Sequence, residues 1–318
     1  MTPQWLAIWL VTVLTPCQSP SSQPADLPAY TRAEDVIYGR KYGTALTMDV
    51  FTPTQTYNGA AVIWVVSGGW ISSHEGIGPR SYAEFLKRGY TVFAVVHGSQ
   101  PKYTIPEILE DMNRAVRFIR FSADRFHIDP NRIGISGGSA GGHLSLMIGL
   151  AGTPGKPDAK DPVRRFSSRV QAVACFFPPT DFLNYGEPER DVFRAIREEL
   201  SPFQAPFDFH EFDEKAKKFV PVEDEARRLE IAGQISPITH VSPDDPPVLI
   251  IHGDADKLVP IQQSEELIDK LGAAGVTGKL IVKSGAKHGW PNLNDDLATF
   301  ADWFDTYLVK TAAATRPD

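Results

Sequence analysis

Residues 137–141 read Gly137-Gly138-Ser139-Ala140-Gly141, a serine enclosed by the smallest residues a chain can offer. Before it, residues 132–136 (Arg-Ile-Gly-Ile-Ser) form a short apolar stretch that reads as a buried strand. After it, Gly142, His143, Leu144, Ser145, Leu146, Met147 and Ile148 place apolar residues as on a helix face. The order is strand, tight turn, helix. Such a turn holds its central residue in a strained backbone conformation and admits only small neighbours, a demand that Gly137, Ala140 and Gly141 meet. A Gly-rich loop carrying a serine by chance would satisfy the same letters, so the rest of the chain must decide.

A serine on such an elbow becomes a nucleophile only with a base and an acid, which follow it in the chain as acid, then histidine. Residues 247–252 (Pro-Val-Leu-Ile-Ile-His) read as a second buried strand, running into Gly253-Asp254-Ala255-Asp256-Lys257-Leu258-Val259-Pro260. Two aspartates compete there. Asp256 lies deeper in the loop, before the Leu-Val-Pro that leads to the next helix, and Asp254 is placed to turn back on the loop backbone. The histidine is expected at His288, in a Gly-flanked loop after a short strand at 279–283. The other seven histidines (His74, His97, His127, His143, His210, His240 and His252) read as structural or surface residues. Donors for a developing oxyanion are expected from the Ala140 N–H and from Gly68 or Gly69, just past the apolar strand 61–66.

Further apolar runs at 47–51, 91–96 and 170–177 alternate with a long amphipathic helix over 107–126, whose face carries Ile108, Met112, Ala115, Val116, Ile119 and Ala123. A closing helix spans 298–308. This alternation predicts an α/β fold, a mostly parallel central sheet flanked by helices. Residues 182–234 break the rhythm with dense charge and aromatics between two core strands, and are expected to form a cap insertion over Ser139 within a catalytic domain of 29–318.

With these residues in place, the chain resembles an α/β-hydrolase of the esterase and lipase group. It is similar to the BD-FAE-like branch of feruloyl and acetyl esterases, itself related to prolyl-oligopeptidase-type serine hydrolases. The resemblance rests on Gly137 to His143 (GGSAGGH), on 128–132 (IDPNR), and on His252 to Pro260 (HGDADKLVP). The runs 287–290 (KHGW), 68–70 (GGW) and 179–181 (PTD) agree, so the likeness extends from about residue 45 to the end. It implies a Ser139, Asp256 and His288 triad working without a cofactor on esters of small acyl or hydroxycinnamoyl groups, carried by small molecules or polysaccharides. The chain departs from the pattern at the oxyanion loop. Where the family usually reads His-Gly-Gly-Gly-Trp, Val66-Ser67 stand for the first two residues, removing the histidine that braces the loop but not its backbone donors.

Composition narrows the alternatives. A length of 318 residues suits one α/β domain with an insertion and is too short for a propeller-shielded peptidase. The net charge of −7, without a basic stripe, argues against a nucleic-acid partner, and no apolar run is long enough to span a bilayer. Of the two cysteines, Cys175 reads as core packing; Cys17 follows an apolar run at 5–14 that resembles an export signal. Residues 1–28 are therefore expected to be a signal and tether, with lipid anchoring at Cys17 as the variant reading. Two other functions fit the same triad order: a prolyl-oligopeptidase-like peptidase, and a silent binding protein on a hydrolase scaffold.

Overall fold

The apolar runs assemble into one sheet because each is too short for a helix and is apolar on both faces, as a strand covered on both sides must be. A computed structural model describes residues 27–310. The signal and tether, Cys17 included, lie outside the described residues apart from Leu27 and Pro28. In chain order the strands are β1 Tyr30–Lys41, β2 Thr44–Pro53, β3 Ala61–Val66, β4 Thr91–Val96, β5 Ile133–Gly138, β6 Ala172–Phe176, β7 His210–Asp213, β8 Lys218–Pro221, β9 Val248–Gly253 and β10 Gly278–Lys283. The main sheet runs β1-β2-β4-β3-β5-β6-β9-β10, and β7 and β8 form a separate hairpin. From β4 to β10 every pairing is parallel, and β2 is antiparallel to both neighbours.

The helices are α1 Ala83–Lys87, α2 Ile105–Phe121, α3 Ala123–Phe126, α4 Ala140–Ala151, α5 Val192–Glu198, α6 Glu225–Gln234, α7 Gln262–Ala273 and α8 Leu297–Phe304. They divide over two faces, following the two-residue alternation of the strands. Ile63, Ile135, Cys175 and Ile250 point to the side of α2, α4 and α7. Val62, Ala174 and Ile251 point to the side of α1 and α8. The expected α/β architecture is the observed one. Burial pushes the Cys175 thiol pKa up, so it packs and does not react.

Some boundaries differ from expectation for local reasons. The helix read over 107–126 begins earlier because Thr104 and Glu107 form a capping box, and it breaks at Ser122, where the backbone leaves helical values. Its apolar face continues across the break, with Ala123 and Phe126 buried in the same cluster. β1 carries no readable alternation, because Thr31 to Asp35 lie exposed on the sheet edge.

α8 follows the loop that holds His288, and its seat is Phe304, fully buried 5.9 Å from the Phe85 ring. A Cβ on Gly134 of β5 would lie 2.6 Å from the Phe304 ring, so the central strand stays bare there to admit it. Phe304→Ala is expected to cost about 3–5 kcal/mol of stability. Denaturant melts that leave the midpoint unchanged would contradict this seating.

Candidate active site

Parallel strands deliver their exits to one edge of the sheet, where loops from neighbouring strands can meet. Gly138 ends β5 beside Phe176 at the end of β6, and Gly253 ends β9 beside Lys283 at the end of β10. Ser139 sits at the first exit with φ 54° and ψ −120°, a region that costs a non-Gly residue about 1–3 kcal/mol. Neighbouring chain locks it in place: the Ser139 N–H donates to Phe176 O at 3.0 Å, and the Ser139 carbonyl accepts from His143 N at 2.9 Å. A Cβ on Gly137 would fall 2.7 Å from the Gly141 backbone, and one on Gly141 would fall 2.9 Å from Val65 O. Those two glycines are required by contact, whereas a Cβ on Gly138 would have ordinary room.

His288 reaches the serine from the β10 loop. Its Nε2 is 2.9 Å from Ser139 Oγ, and its Nδ1 is 2.6 Å from Asp256 Oδ2. An ionised carboxylate can only accept, so Nδ1 carries the proton and Nε2 is left to accept from the serine hydroxyl. The Phe177 ring, 4.4 Å from the imidazole between centroids, packs against it. Asp256 comes from the β9 loop with its side chain wholly buried. Burial alone would raise its pKa, but hydrogen bonds from His252, His288 and the Val259 backbone hold it well below the usual carboxylate range. Its other oxygen accepts from Leu258 N at 2.9 Å and Val259 N at 3.0 Å. Asp254 is exposed and accepts from Gly285 N at 2.6 Å, so it pins the His288 loop and does not meet the imidazole.

Sequence reasoning missed His252. Its Nε2 lies 2.9 Å from Val259 O and 3.3 Å from Asp256 Oδ2, and its Nδ1 lies 2.7 Å from the Ser264 hydroxyl. Because a carbonyl and a carboxylate can only accept, Nε2 holds a proton. The acid therefore has two imidazoles on one oxygen. A buried histidine at a strand end gives no sign in sequence of which partner it faces.

The loop after β3 corrects one expectation. Gly68 was expected as a possible oxyanion donor, but its N–H donates to Ile71 O at 3.0 Å, and Ile71 N donates back to Gly68 O at 2.9 Å. Gly69 and Trp70, at φ 55° and 60°, form the tight corner between them. Gly69 and Ala140 are left as the neighbouring N–H groups. Ala140 opens α4, so its N–H belongs to the first turn, which has no intrahelical acceptor.

The loop also has braces in place of the missing family histidine. His97, at the end of β4, is 2.9 Å from Ser67 Oγ through Nε2 and 2.7 Å from Gly98 O through Nδ1. His143 on α4 accepts from the Trp70 indole at 3.2 Å and donates to Ile235 O at 2.7 Å. Burial lowers the pKa of each to about 4.

Two cavities meet at Ser139. One is a narrow void of about 30 Å³, lined by Trp70, Phe182, Val192, Ile196, Leu200 and Phe207 among others. Most of that wall comes from the 182–234 segment. The other is an open cleft of about 610 Å³, lined by Ser67, Ile71, Phe177, His288, Leu293 and Asn294 among others. No carboxylate or arginine is among the described residues lining either space.

A family model described as BD-FAE matches residues 48–271. The chain is 28% identical over 246 residues to the probable carboxylic ester hydrolase LipM of Mycobacterium tuberculosis, covering 76% of this chain and 52% of that protein. Esterase LipC of the same organism is 27% identical, covering 83% of this chain and 61% of its own length. The chain thus spans little more than half the length of these relatives. Among solved structures, a truncated carbohydrate esterase from gut microbiota superposes with a TM-score of 0.68 at 27% identity, covering 89% of this chain and 99% of the other.

His97 and His143 make the fold acid-sensitive. Unfolded, each takes up its proton near pH 6.5; folded, not until about pH 4. The unfolded chain therefore binds more protons as pH falls between those values, and stability drops by up to about 3 kcal/mol per histidine. Melting temperature should fall from pH 6.5 to 4, and less steeply in a His97→Gln, His143→Gln double variant. An equal slope in both proteins would contradict the assignment.

Proposed function

The chain belongs to the BD-FAE family, and from this we propose that it hydrolyses carboxylic esters through an acyl-enzyme on Ser139, taking a small acyl group and a bulky alcohol. The observation that carries this reading is the hydrogen-bonded series Ser139, His288, Asp256, set where a narrow void meets a wide cleft. His288 takes the serine proton as Oγ attacks the ester carbonyl, and Asp256 stabilises the resulting imidazolium. The N–H groups of Gly69 and Ala140 are the donors we assign to the oxyanion. His288 then protonates the leaving alkoxide, and water, activated by the same imidazole, cleaves the acyl-enzyme.

Leaving-group protonation supports one assignment of the substrate to the two cavities. His288 lines the cleft and not the void. This favours departure of the alcohol into the cleft and entry of the acyl group into the void. A void of about 30 Å³ favours small acyl groups such as acetyl and propionyl over a hydroxycinnamoyl chain. The cleft has room for sugar residues of a polymer, in line with the likeness to a carbohydrate esterase. The apolar run at 5–14 supports export, which would bring the enzyme to such polymers. In this reading residues 182–234 act as a cap that builds the acyl pocket. A peptidase that grips a peptide terminus would need a charged group there, and the described residues lining the site include no carboxylate or arginine.

With p-nitrophenyl acetate, Ser139→Ala and Asp256→Asn should each lower kcat/KM by about 10³-fold or more. Asp254→Asn keeps the acceptor for Gly285 N and should stay near wild type. A larger loss in Asp254→Asn than in Asp256→Asn would overturn the acid assignment. Normal turnover in Ser139→Ala would overturn the mechanism.

A further inference from the structure

Four residues line both the void and the cleft: Gly69, Ser139, Phe203 and Leu258. Gly69 and Ser139 belong to the reacting centre, so Phe203 and Leu258 are the side chains that stand between the two spaces. They are held differently. Leu258 is part of the acid loop: its N–H donates to Asp256 Oδ1 at 2.9 Å, and its carbonyl accepts from the Tyr185 hydroxyl at 2.8 Å. Moving it would disturb the acid itself. Phe203 is carried by the short helical turn Ser201–Phe203 of the 182–234 segment, its N–H bonded to Leu200 O at 2.8 Å. Its ring lies over the backbone of Gly69, so close that a Cβ there would fall 2.8 Å from Cε1 and 3.2 Å from Cδ1. Gly69 is bare where Phe203 crosses it.

We propose that Phe203 is the specificity-determining partition of this site, a half-buried ring that closes the acyl void from the alcohol cleft and so sets the limit on acyl length. The proposal rests on the ester-hydrolase reading and on the acyl group entering the void. Short acyl groups fit on the void side of the ring. A longer chain would have to pass between Phe203 and Leu258, the two side chains that border both spaces. Truncating Phe203 widens the opening between the void and the cleft while leaving Ser139, His288, Asp256 and their hydrogen bonds in place. Specificity should then shift by acyl length and not by leaving group. Because the ring sits on the segment and not on the sheet, the limit is set by a part of the chain distant in sequence from every triad residue.

The test compares kcat/KM for p-nitrophenyl acetate, butanoate and octanoate, one leaving group throughout, in the wild-type protein and in Phe203→Ala, with Phe203→Val as the milder truncation should the alanine variant fail to fold. The octanoate-to-acetate ratio should rise about 10-fold or more in Phe203→Ala and by less in Phe203→Val. Acetate esters of larger alcohols should keep their wild-type ranking in both variants. Folded variants that retain the wild-type octanoate-to-acetate ratio would overturn the partition while leaving the hydrolase reading intact. A wild-type protein that turns over none of these esters would overturn the hydrolase reading, and the partition with it.

Discussion

The Asp256 carboxylate is the point at which the separate parts of the site are fastened together. It lies in the β9 loop and takes His288 from the β10 loop. His252 from the end of β9 reaches it as well, itself fixed by Ser264 on α7. Through Leu258 it is tied to Tyr185 of the 182–234 segment. A buried carboxylate with no partner would take up a proton instead of keeping its charge. Here two ring nitrogens and two backbone N–H groups reach it, so the charge survives burial.

Ser139 is fastened by a different means, strain held by packing. Its backbone angles are unfavourable for any residue with a side chain. They persist because β5 is clamped between β3 and β6, and because Gly137 and Gly141 let the incoming strand and outgoing helix approach within contact distance. The sheet supplies the other half of the geometry. β9 and β10 are paired in parallel through Gly253 and Lys283, so the acid and histidine loops leave the sheet side by side. Parallel register thus accounts for how residues 139, 256 and 288, far apart in the chain, come within hydrogen-bond reach. The loop after β3 completes the arrangement, held from one side by His97 and from the other by Trp70 and His143.

Much of this was legible in sequence because it is carried by local pattern. Apolar runs between turn residues gave the six parallel strands, and the small residues around Ser139 marked a turn that few side chains could enter. The order of Asp256 and His288 past strand ends was readable for the same reason. What could not be read depends on partners distant in the chain. His97, His143 and His252 look like any buried histidine until the hydrogen bonds to Ser67, Trp70 and Asp256 are seen. Gly68 and Gly69 are equivalent letters, and only the Gly68–Ile71 pairing separates their N–H groups. β1 was missed because an exposed edge strand needs no apolar alternation. The place of Phe203 over Gly69 is set by how the 182–234 segment returns across the sheet edge, which no periodicity within that segment encodes.

The central claim is that Ser139 is the activated nucleophile of this chain. The most direct measurement is to treat the folded protein with a fluorophosphonate probe and locate the adduct by peptide mass spectrometry. One adduct is expected, on Ser139, formed quickly in the wild-type protein and strongly slowed in His288→Ala, which removes the base. Folded protein that stays unlabelled, or an adduct on another residue, would contradict it.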